Sequence, residues 1–326
     1  MSQLPLVLIT HSLPEGWLST LEPHCRVIAG PPETDRLSPE LDLRLSEAEG
    51  LLTLLTVRVD ESLLARAPSL RVVSNMAVGV DNIDLQACTR RGIPVGNTPG
   101  VLTDGTADLA MALLLAAARR LLEASTDARQ GRWVTWSPTG WLGADLSGAC
   151  LGIIGMGKIG KAVARRAHAF GMRILYADPE TQSEIEALTG AVRMPLDELL
   201  AQSDFVSLHT PLMASTRSLI DEGALKKMKP SAILINSSRG PVVDTAALLH
   251  ALQSGQIAGA ALDVTDPEPL PADHPLYSLP SCLIVPHIGS ATWNTRRAMA
   301  ERACQNLLAG LQGQRLPYCA NPEVYA

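Results

Sequence analysis

An arginine, a glutamate and a histidine each follow an apolar run in the second half of the chain: Arg239, Glu268 and His287. Imidazole titrates near neutrality and can pass a proton, and a carboxylate beside it favours the protonated ring. A guanidinium offers a planar fork of donors to a carboxylate or a carbonyl group. Taken singly, each residue could be a surface charge or a structural contact. Together they suit reduction of a 2-keto acid, in which His287 gives the proton, Glu268 holds His287 and Arg239 orients the substrate.

A glycine pattern, Gly155, Gly157 and Gly160, lies between an apolar run and a helical stretch. The first glycine permits a tight turn, the second lets the backbone approach a pyrophosphate, and the third lets helix and strand pack closely. Lys158 and Ile159 complete the loop, where the first N–H groups of the helix would face the anion. The pattern with both flanking elements predicts a dinucleotide-binding loop.

Asp178 follows the next apolar run, at the spacing expected for a carboxylate that accepts hydrogen bonds from the adenosine ribose. A carboxylate there would repel a 2′-phosphate. We therefore expect NAD as the coenzyme, with NADH preferred over NADPH. The alternative is that Asp178 only starts a turn before Pro179.

Short apolar runs alternate with amphipathic helical stretches along the chain, which predicts α/β structure with parallel sheets. At 326 residues the chain exceeds the usual size of a single domain, so we expect two. The predicted strands are 6–10, 50–55, 70–75, 150–155, 173–178, 205–209, 232–237, 258–264 and 283–287. The last six, with their intervening helices, match a doubly wound dinucleotide fold.

Composition narrows the class of partner. The net charge of −6 and the lack of a dense basic run argue against nucleic acid. The longest apolar run is too short to span a bilayer, and the N-terminal residues lack the features of a secretory signal. We expect a cytoplasmic enzyme. The six cysteines form no CxxC pair, so reduced thiols are expected and no metal site is predicted.

Three of the five tryptophans, Trp133, Trp136 and Trp141, lie in a segment rich in Gly, Pro and Ser. An exposed aromatic loop commonly marks a contact surface. We interpret this loop as a subunit interface and expect a homodimer.

The chain resembles the D-2-hydroxyacid dehydrogenase family over essentially its full length, with the glyoxylate/hydroxypyruvate reductase branch the most similar. The segments that carry the resemblance are AVGVDNIDL (77–85), GMGKIG (155–160), INSSRGPVVD (235–244), ALDVTDPEPLP (261–271) and PHIGSAT (286–292). The branch is indicated by TPGVLTDGTADLA, the WSPTGW loop and IGSATWNTR.

The resemblance implies two Rossmann-like or flavodoxin-like domains. Residues 1–98 and 293–326 would form a discontinuous substrate-binding domain, and residues 99–292 the coenzyme domain. It implies that Arg239, Glu268 and His287 are the catalytic trio. Further coenzyme contacts would come from Thr210, Pro211, Ser237, Ser238, Asp263 and Gly289.

The resemblance also implies substrate contacts. The backbone N–H groups of Val78 and Gly79 would bind the carboxylate of a small 2-keto acid, and Trp141 would reach the neighbouring subunit's site. Members of this branch often use NADPH and carry basic residues where this chain has Asp178-Pro179, which again favours NADH.

Three other functions are compatible with the same motifs. Phosphoglycerate dehydrogenases share them, but their longer forms carry a regulatory domain for which this chain has no room. Phosphite dehydrogenases carry a lysine where this chain has Val78. Corepressors of the superfamily use NAD to control assembly, and binding of peptides that depends on NADH would reveal that function.

Overall fold

The computed structural model describes residues 4–326, which divide into two compact units. One unit comprises the chain up to residue 102 together with 291–326, and the other comprises 103–290. Each is built on a parallel sheet with helices. The predicted α/β class with two parallel-sheet domains is therefore confirmed. The assignment of substrate and coenzyme to separate domains stays a prediction.

Within the described residues of the first unit, five parallel strands run in the order β2-β1-β3-β4-β5. This is the flavodoxin-like order. The strands are β1 (Leu6–Ile9), β2 (Arg26–Ala29), β3 (Gly50–Thr53), β4 (Val72–Asn75) and β5 (Val95–Gly96). The helices of this unit are α1 (Pro39–Arg44), α2 (Glu61–Arg66), α3 (Leu85–Arg90) and α11 (Trp293–Leu311), with single 3-10 turns at Leu45–Glu47 and Pro322–Tyr325.

The three central strands of this sheet are buried along their whole length, because helices cover both faces. Helix α11 lies against β3, β4 and β5. Leu41 of α1 and Leu64 of α2 belong to the apolar cluster that includes Leu8, Leu51 and Val73 of the strands. This packing holds the carboxyl ends of the strands in place, including the end of β4, which residues 76–80 follow.

Residues 103–290 form a seven-stranded parallel sheet in the order β12-β11-β10-β9-β6-β7-β8. Counted from the first strand of the unit, this is the 3-2-1-4-5-6 order of the dinucleotide fold with one more strand at the far edge. The strands are β6 (Cys150–Ile154), β7 (Arg173–Ala177), β8 (Val192–Arg193), β9 (Phe205–Leu208), β10 (Ile233–Asn236), β11 (Gly259–Leu262) and β12 (Cys282–Ile284).

The second unit has seven helices within 103–290. They are α4 (Thr103–Ala118), α5 (Leu121–Arg129), α6 (Lys158–Ala169), α7 (Ser183–Thr189), α8 (Leu196–Gln202), α9 (Glu222–Lys227) and α10 (Thr245–Gln253), with 3-10 turns at Gly240–Val242 and Pro275–Ser278. Helix α4 lies against α6 and the strands β10 and β11. Strand β6 pairs with both β7 and β9, so the order of the strands reverses beside the loop that follows β6.

Apart from β4, the predicted strands end earlier than the apolar runs that predict them. The run 258–264, for example, gives the strand Gly259–Leu262. The residues after each strand bend into loops at the carboxyl edge of the sheet, and these loops hold the candidate site residues. The two-residue strands β5 and β8 are too short to produce an apolar run, and both residues of β8 are exposed.

Within residues 4–326, no helix is long and apolar enough to cross a bilayer. Nor does that part of the chain bring three or more His, Cys, Asp or Glu side chains together in a way that could hold a metal ion.

Candidate active site

The loop from β6 to α6 has a separate structural reason for each of its glycines. Gly155 has a φ of 91°, and a Cβ there would lie 2.8 Å from the carbonyl of His209. A Cβ at Gly160 would collide with the carbonyl oxygen of Gly155. A Cβ at Gly157 would meet open space, so a ligand can approach the backbone there.

Gly157 is also the N-cap of α6, and no side-chain hydrogen bond from this position satisfies the first N–H groups of the helix. Lys158 and Ile159 begin the helix. Free N–H groups and the helix dipole favour an anion at this end of a helix. The open backbone and the uncapped helix therefore fit the pyrophosphate of a dinucleotide.

Asp178, directly after β7, turns its carboxylate toward the glycine loop. Its Oδ2 accepts a hydrogen bond from Met156 N at 2.7 Å, and its Oδ1 accepts one from Glu180 N at 3.0 Å. Arg193 of β8 donates to the carbonyl oxygens of Asp178 and Pro179, at 2.8 and 2.6 Å. These contacts fix a partly exposed carboxylate beside the loop, where a ribose would follow the pyrophosphate.

The turn after β10 is organised by Asn236, which is not among the predicted site residues. Its Oδ1 accepts hydrogen bonds from the N–H and the hydroxyl of Ser238, at 3.0 and 2.8 Å. Its Nδ2 donates to the carbonyl oxygen of Arg239 at 2.9 Å. An asparagine that ends an apolar run and precedes two serines is typical of such a turn, so the sequence did carry a signal.

Two buried polar atoms lie at the same edge of the sheet without a hydrogen-bond partner in residues 4–326: His209 Nδ1 and Ser237 Oγ. Leu208 and Asn236 are paired in register, so the residues that follow them are neighbours. Burial lowers the pKa of His209 to about 4, so its ring is neutral near pH 7. Thr210 follows His209, and its backbone N–H lies against Gly155.

Buried polar atoms are normally paired, so these two fit the hydrogen-bonding groups of a bound dinucleotide. The neighbouring Pro211 is held through its carbonyl oxygen, which accepts a hydrogen bond from Thr216 Oγ1 at 2.6 Å.

His287 and Glu268 form a direct pair, with 2.5 Å between His287 Nδ1 and Glu268 Oε1. The other carboxylate oxygen of Glu268 accepts a hydrogen bond from Thr265 N at 3.3 Å. Because Glu268 holds Nδ1, Nε2 is the ring nitrogen that can face a substrate. The His287 side chain is 27% exposed, so a small molecule can reach it.

The backbone of His287 is held by Asp263. The carbonyl oxygen of Asp263 accepts from His287 N at 2.9 Å, and its carboxylate accepts from Ile288 N at 2.6 Å and Gly289 N at 2.9 Å. His287 has a φ of 51°, which is uncommon for a residue other than glycine and costs about 1 kcal/mol or more. Burial raises the pKa of Asp263, although the two N–H donors oppose that effect.

Arg239 is partly buried, and its Nη1 donates to the carbonyl oxygen of Ser238 at 2.8 Å. At the next residue, Gly240, a Cβ would collide with the carbonyl oxygen of Thr265. This glycine therefore lets the loop that carries Arg239 lie directly against the segment that leads to Glu268. Residues 239, 268 and 287 thus come from neighbouring loops of one sheet edge.

The remaining predicted residues lie elsewhere. Val78 and Gly79 belong to the first unit, where they follow β4 and are partly exposed. Trp141 is 39% exposed and has a φ of 53°. The centroid of its ring lies 4.8 Å from the guanidinium carbon of Arg120. The roles of the predicted catalytic, coenzyme and substrate residues stay predictions.

Comparison with known proteins identifies the class. Residues 111–289 match the family described as D-isomer specific 2-hydroxyacid dehydrogenase, NAD binding domain. The chain belongs to this family. It is an NAD(P)-dependent oxidoreductase that binds a nicotinamide dinucleotide.

Relatives agree with this class along nearly the whole chain. The glyoxylate reductase of Korarchaeum cryptofilum is 48% identical over 321 residues, which cover 98% of this chain and 97% of the relative. A crystal structure of a Thermus thermophilus protein, 47% identical, superposes with a TM-score of 0.90 over 97% of this chain and 99% of the other. The NADPH-dependent glyoxylate/hydroxypyruvate reductase of Sinorhizobium meliloti, solved with NADP and malonate, is 32% identical, with a TM-score of 0.86 and coverage of 99% and 98%.

Proposed function

We propose that this protein reduces glyoxylate to glycolate and hydroxypyruvate to D-glycerate, with NADH as the hydride donor. The observation that carries the proposal is the His287–Glu268 pair, which lies at the same sheet edge as the glycine loop. The names of the relatives that match nearly the full chain support the substrate class.

The second unit would hold the coenzyme. The N–H groups at the start of α6 would face the pyrophosphate, and the Asp178 carboxylate would accept hydrogen bonds from the ribose. Residues Thr210, Pro211, Ser237, Ser238, Asp263 and Gly289 would line the nicotinamide half. When bound, the reduced coenzyme supplies the hydride that adds to the carbonyl carbon of the substrate.

His287 would supply the proton. Its Nε2–H donates to the carbonyl oxygen, which gains that proton as the carbon gains the hydride, so a 2-hydroxy acid forms. The carboxylate of Glu268 keeps the ring oriented through Nδ1 and stabilises the imidazolium before transfer. Asp263 holds the backbone of His287 in place, which fixes the direction of Nε2.

The carboxylate of the substrate would be bound by Arg239 and by the N–H groups of Val78 and Gly79. A guanidinium matches a carboxylate and an adjacent carbonyl in one plane. Its charge would also stabilise the negative oxygen that develops as the hydride arrives.

NADH is the proposed coenzyme in preference to NADPH. Met156 N holds the Asp178 carboxylate beside the glycine loop, and the 2′-phosphate of an NADPH bound there would meet a negative charge. The relative from Sinorhizobium meliloti is named as NADPH-dependent, so preference within the family has to be measured for each chain.

A homodimer is proposed from the surface of the second unit. Trp133, Val134 and Trp136 are 73%, 90% and 79% exposed, and in α5 the side chains of Leu121 and Leu122 are also exposed. So many neighbouring apolar side chains are typical of an interface. Trp141, in the same loop, would then reach the partner's substrate. Sedimentation as a monomer at micromolar concentration would contradict this proposal. Location in the cytoplasm stays a prediction.

Steady-state kinetics test the function. Rates of coenzyme oxidation are measured with glyoxylate, hydroxypyruvate, pyruvate and a bulky aromatic 2-keto acid, each with NADH and NADPH. We expect the highest kcat/KM for the first two acids with NADH. His287→Ala should lower kcat by about 10²–10⁴, the usual value of general acid catalysis. Full activity of that variant would refute the role of His287.

A further inference from the structure

The loop that follows β4 is held through three successive carbonyl oxygens. Each accepts a hydrogen bond from a group outside the loop. The bonds are Thr98 N to Ala77 O at 2.8 Å, Asn97 Nδ2 to Val78 O at 2.9 Å, and Asn75 Nδ2 to Gly79 O at 2.8 Å.

These bonds determine where the N–H groups of the loop point. In a trans peptide the carbonyl and the following N–H lie on opposite sides of the C–N bond. The N–H groups of Val78, Gly79 and Val80 therefore point away from the groups that hold the carbonyls. None of the three meets an acceptor within residues 4–326, and all three residues are partly exposed.

The orientation of the Asn75 amide is fixed by Asn82. Asn82 Nδ2 donates to the carbonyl oxygens of Leu54 and Val57, at 3.0 and 3.1 Å, so its Oδ1 must face the other way. There it accepts from Asn75 Nδ2 at 3.0 Å. Asn75 can therefore present only its NH₂ group to Gly79 O, and its side chain is fully buried.

Asn97 is held at both ends of its backbone. Its N–H donates to Tyr318 O at 3.0 Å, and its carbonyl oxygen accepts from Asn306 Nδ2 at 3.0 Å. Asn306 is fully buried in α11 and presses against Gly96, where a Cβ would lie 2.5 Å from its side chain. The position from which Asn97 reaches Val78 O is thus held by α11 and the C-terminal segment, in addition to the contact of Thr98 N with the loop.

We propose that Asn97 is a positioning residue which, together with Asn75, turns the N–H groups of Val78, Gly79 and Val80 outward as a cradle for the carboxylate of the substrate. The inference rests on the proposed function and deepens it, because it names the residues outside the loop on which carboxylate binding depends. Three neutral N–H donors on adjacent residues can bind a carboxylate without the desolvation of a buried cation.

The test compares three variants. Asn97→Leu keeps the shape of the side chain and removes its N–H donors, while Asn97→His keeps an N–H at a similar reach. Leu41→Ala is the control, because it destabilises the same unit through the apolar cluster and makes no hydrogen bond to the loop. For each variant we measure kcat, the KM for glyoxylate, the Kd of NADH and the Kd of oxalate for the enzyme–NADH complex, well below the melting temperature.

Asn97→Leu should raise the KM for glyoxylate and the Kd of oxalate together, by about tenfold, the effect of one lost hydrogen bond. The Kd of NADH should change by less than about twofold, and Asn97→His should recover most of the loss. Leu41→Ala should lower the melting temperature and leave both carboxylate constants unchanged.

Unchanged constants in Asn97→Leu, or the same change in Leu41→Ala, would overturn the proposal. Failure of wild-type protein to bind oxalate would overturn it as well. The wild type could bind oxalate and reduce no 2-keto acid, with weaker oxalate binding in Asn97→Leu. That result would contradict the proposed function and would still support the role of Asn97 in carboxylate binding.

Discussion

Replacing Asp178 by asparagine removes one negative charge from the turn beside the glycine loop and keeps the shape of the side chain. The amide oxygen can still accept the hydrogen bond from Met156 N, so the glycine loop should hold its conformation, whereas the amide NH₂ group cannot replace the oxygen that accepts from Glu180 N. Two energies change. A hydrogen bond from the ribose to a charged acceptor contributes about 1.5–3 kcal/mol, which is lost in part. The repulsion between the carboxylate and a 2′-phosphate is removed. We place this repulsion at about 1–2 kcal/mol because the carboxylate is partly exposed.

Together these changes should lower the ratio of kcat/KM for NADH to kcat/KM for NADPH by about 10²–10³. The assay is the initial rate with glyoxylate at a series of concentrations of each coenzyme. Asp204→Asn is the matched control. Asp204 Oδ2 likewise accepts from a backbone N–H, that of Cys150 at 2.8 Å, but Asp204 lies at the amino end of β9, at the opposite edge of the sheet. An unchanged coenzyme ratio in Asp178→Asn, or an equal change in the control, would show that the Asp178 carboxylate does not select the coenzyme.

Three further predictions concern the second unit. Glu268→Gln should lower kcat by about 10²-fold and leave the Kd of NADH unchanged, since it removes the charge beside His287; equal kcat values for variant and wild type would contradict this. Arg239→Lys should lower kcat/KM for glyoxylate by about tenfold or more because the planar fork is lost, and full activity would exclude a bidentate contact. The pKa of His209 is about 4 in the folded protein against an ordinary value of 6.5, so the unfolded chain alone binds this proton between those values. The free energy of unfolding therefore contains the full contribution of neutral His209 above pH 6.5 and falls by at most about 3 kcal/mol as the pH falls to 4. In denaturant titrations, the free energy of unfolding of His209→Gln should depend less on pH than that of the wild type. The same pH dependence in both proteins would contradict the lowered pKa of His209.

Much of the second unit could be predicted from the sequence, because its central strands are buried on both faces and appear as continuous apolar runs. Cys150–Ile154 is such a run, and every residue in it is buried. Val192–Arg193 lies at the edge of the sheet with both residues exposed, so no apolar pattern marks it. The glycine loop could be interpreted in detail because turn, helix start and close contact are all local consequences of Gly155, Gly157 and Gly160.

The residues that hold the site could not be predicted, since their partners are far away in the chain. Asp263 accepts hydrogen bonds from Ile288 N and Gly289 N, which come close to it only when the chain folds. In the sequence, Asp263 is only a carboxylate that follows an apolar run. The contact of Asn97 with Val78 likewise depends on the pairing of β4 with β5. Spacing identifies which residue types are available, but only the packing of neighbouring strands determines which groups face each other.

The most direct test of the central claim is the reduction of hydroxypyruvate by purified protein with NADH, followed by the loss of reduced coenzyme and by chiral analysis of the product. We expect rapid oxidation of NADH in step with formation of D-glycerate, and a fall of about 10²–10⁴ in rate for His287→Ala. No oxidation of either coenzyme with hydroxypyruvate or glyoxylate, or formation of the L-product, would contradict it.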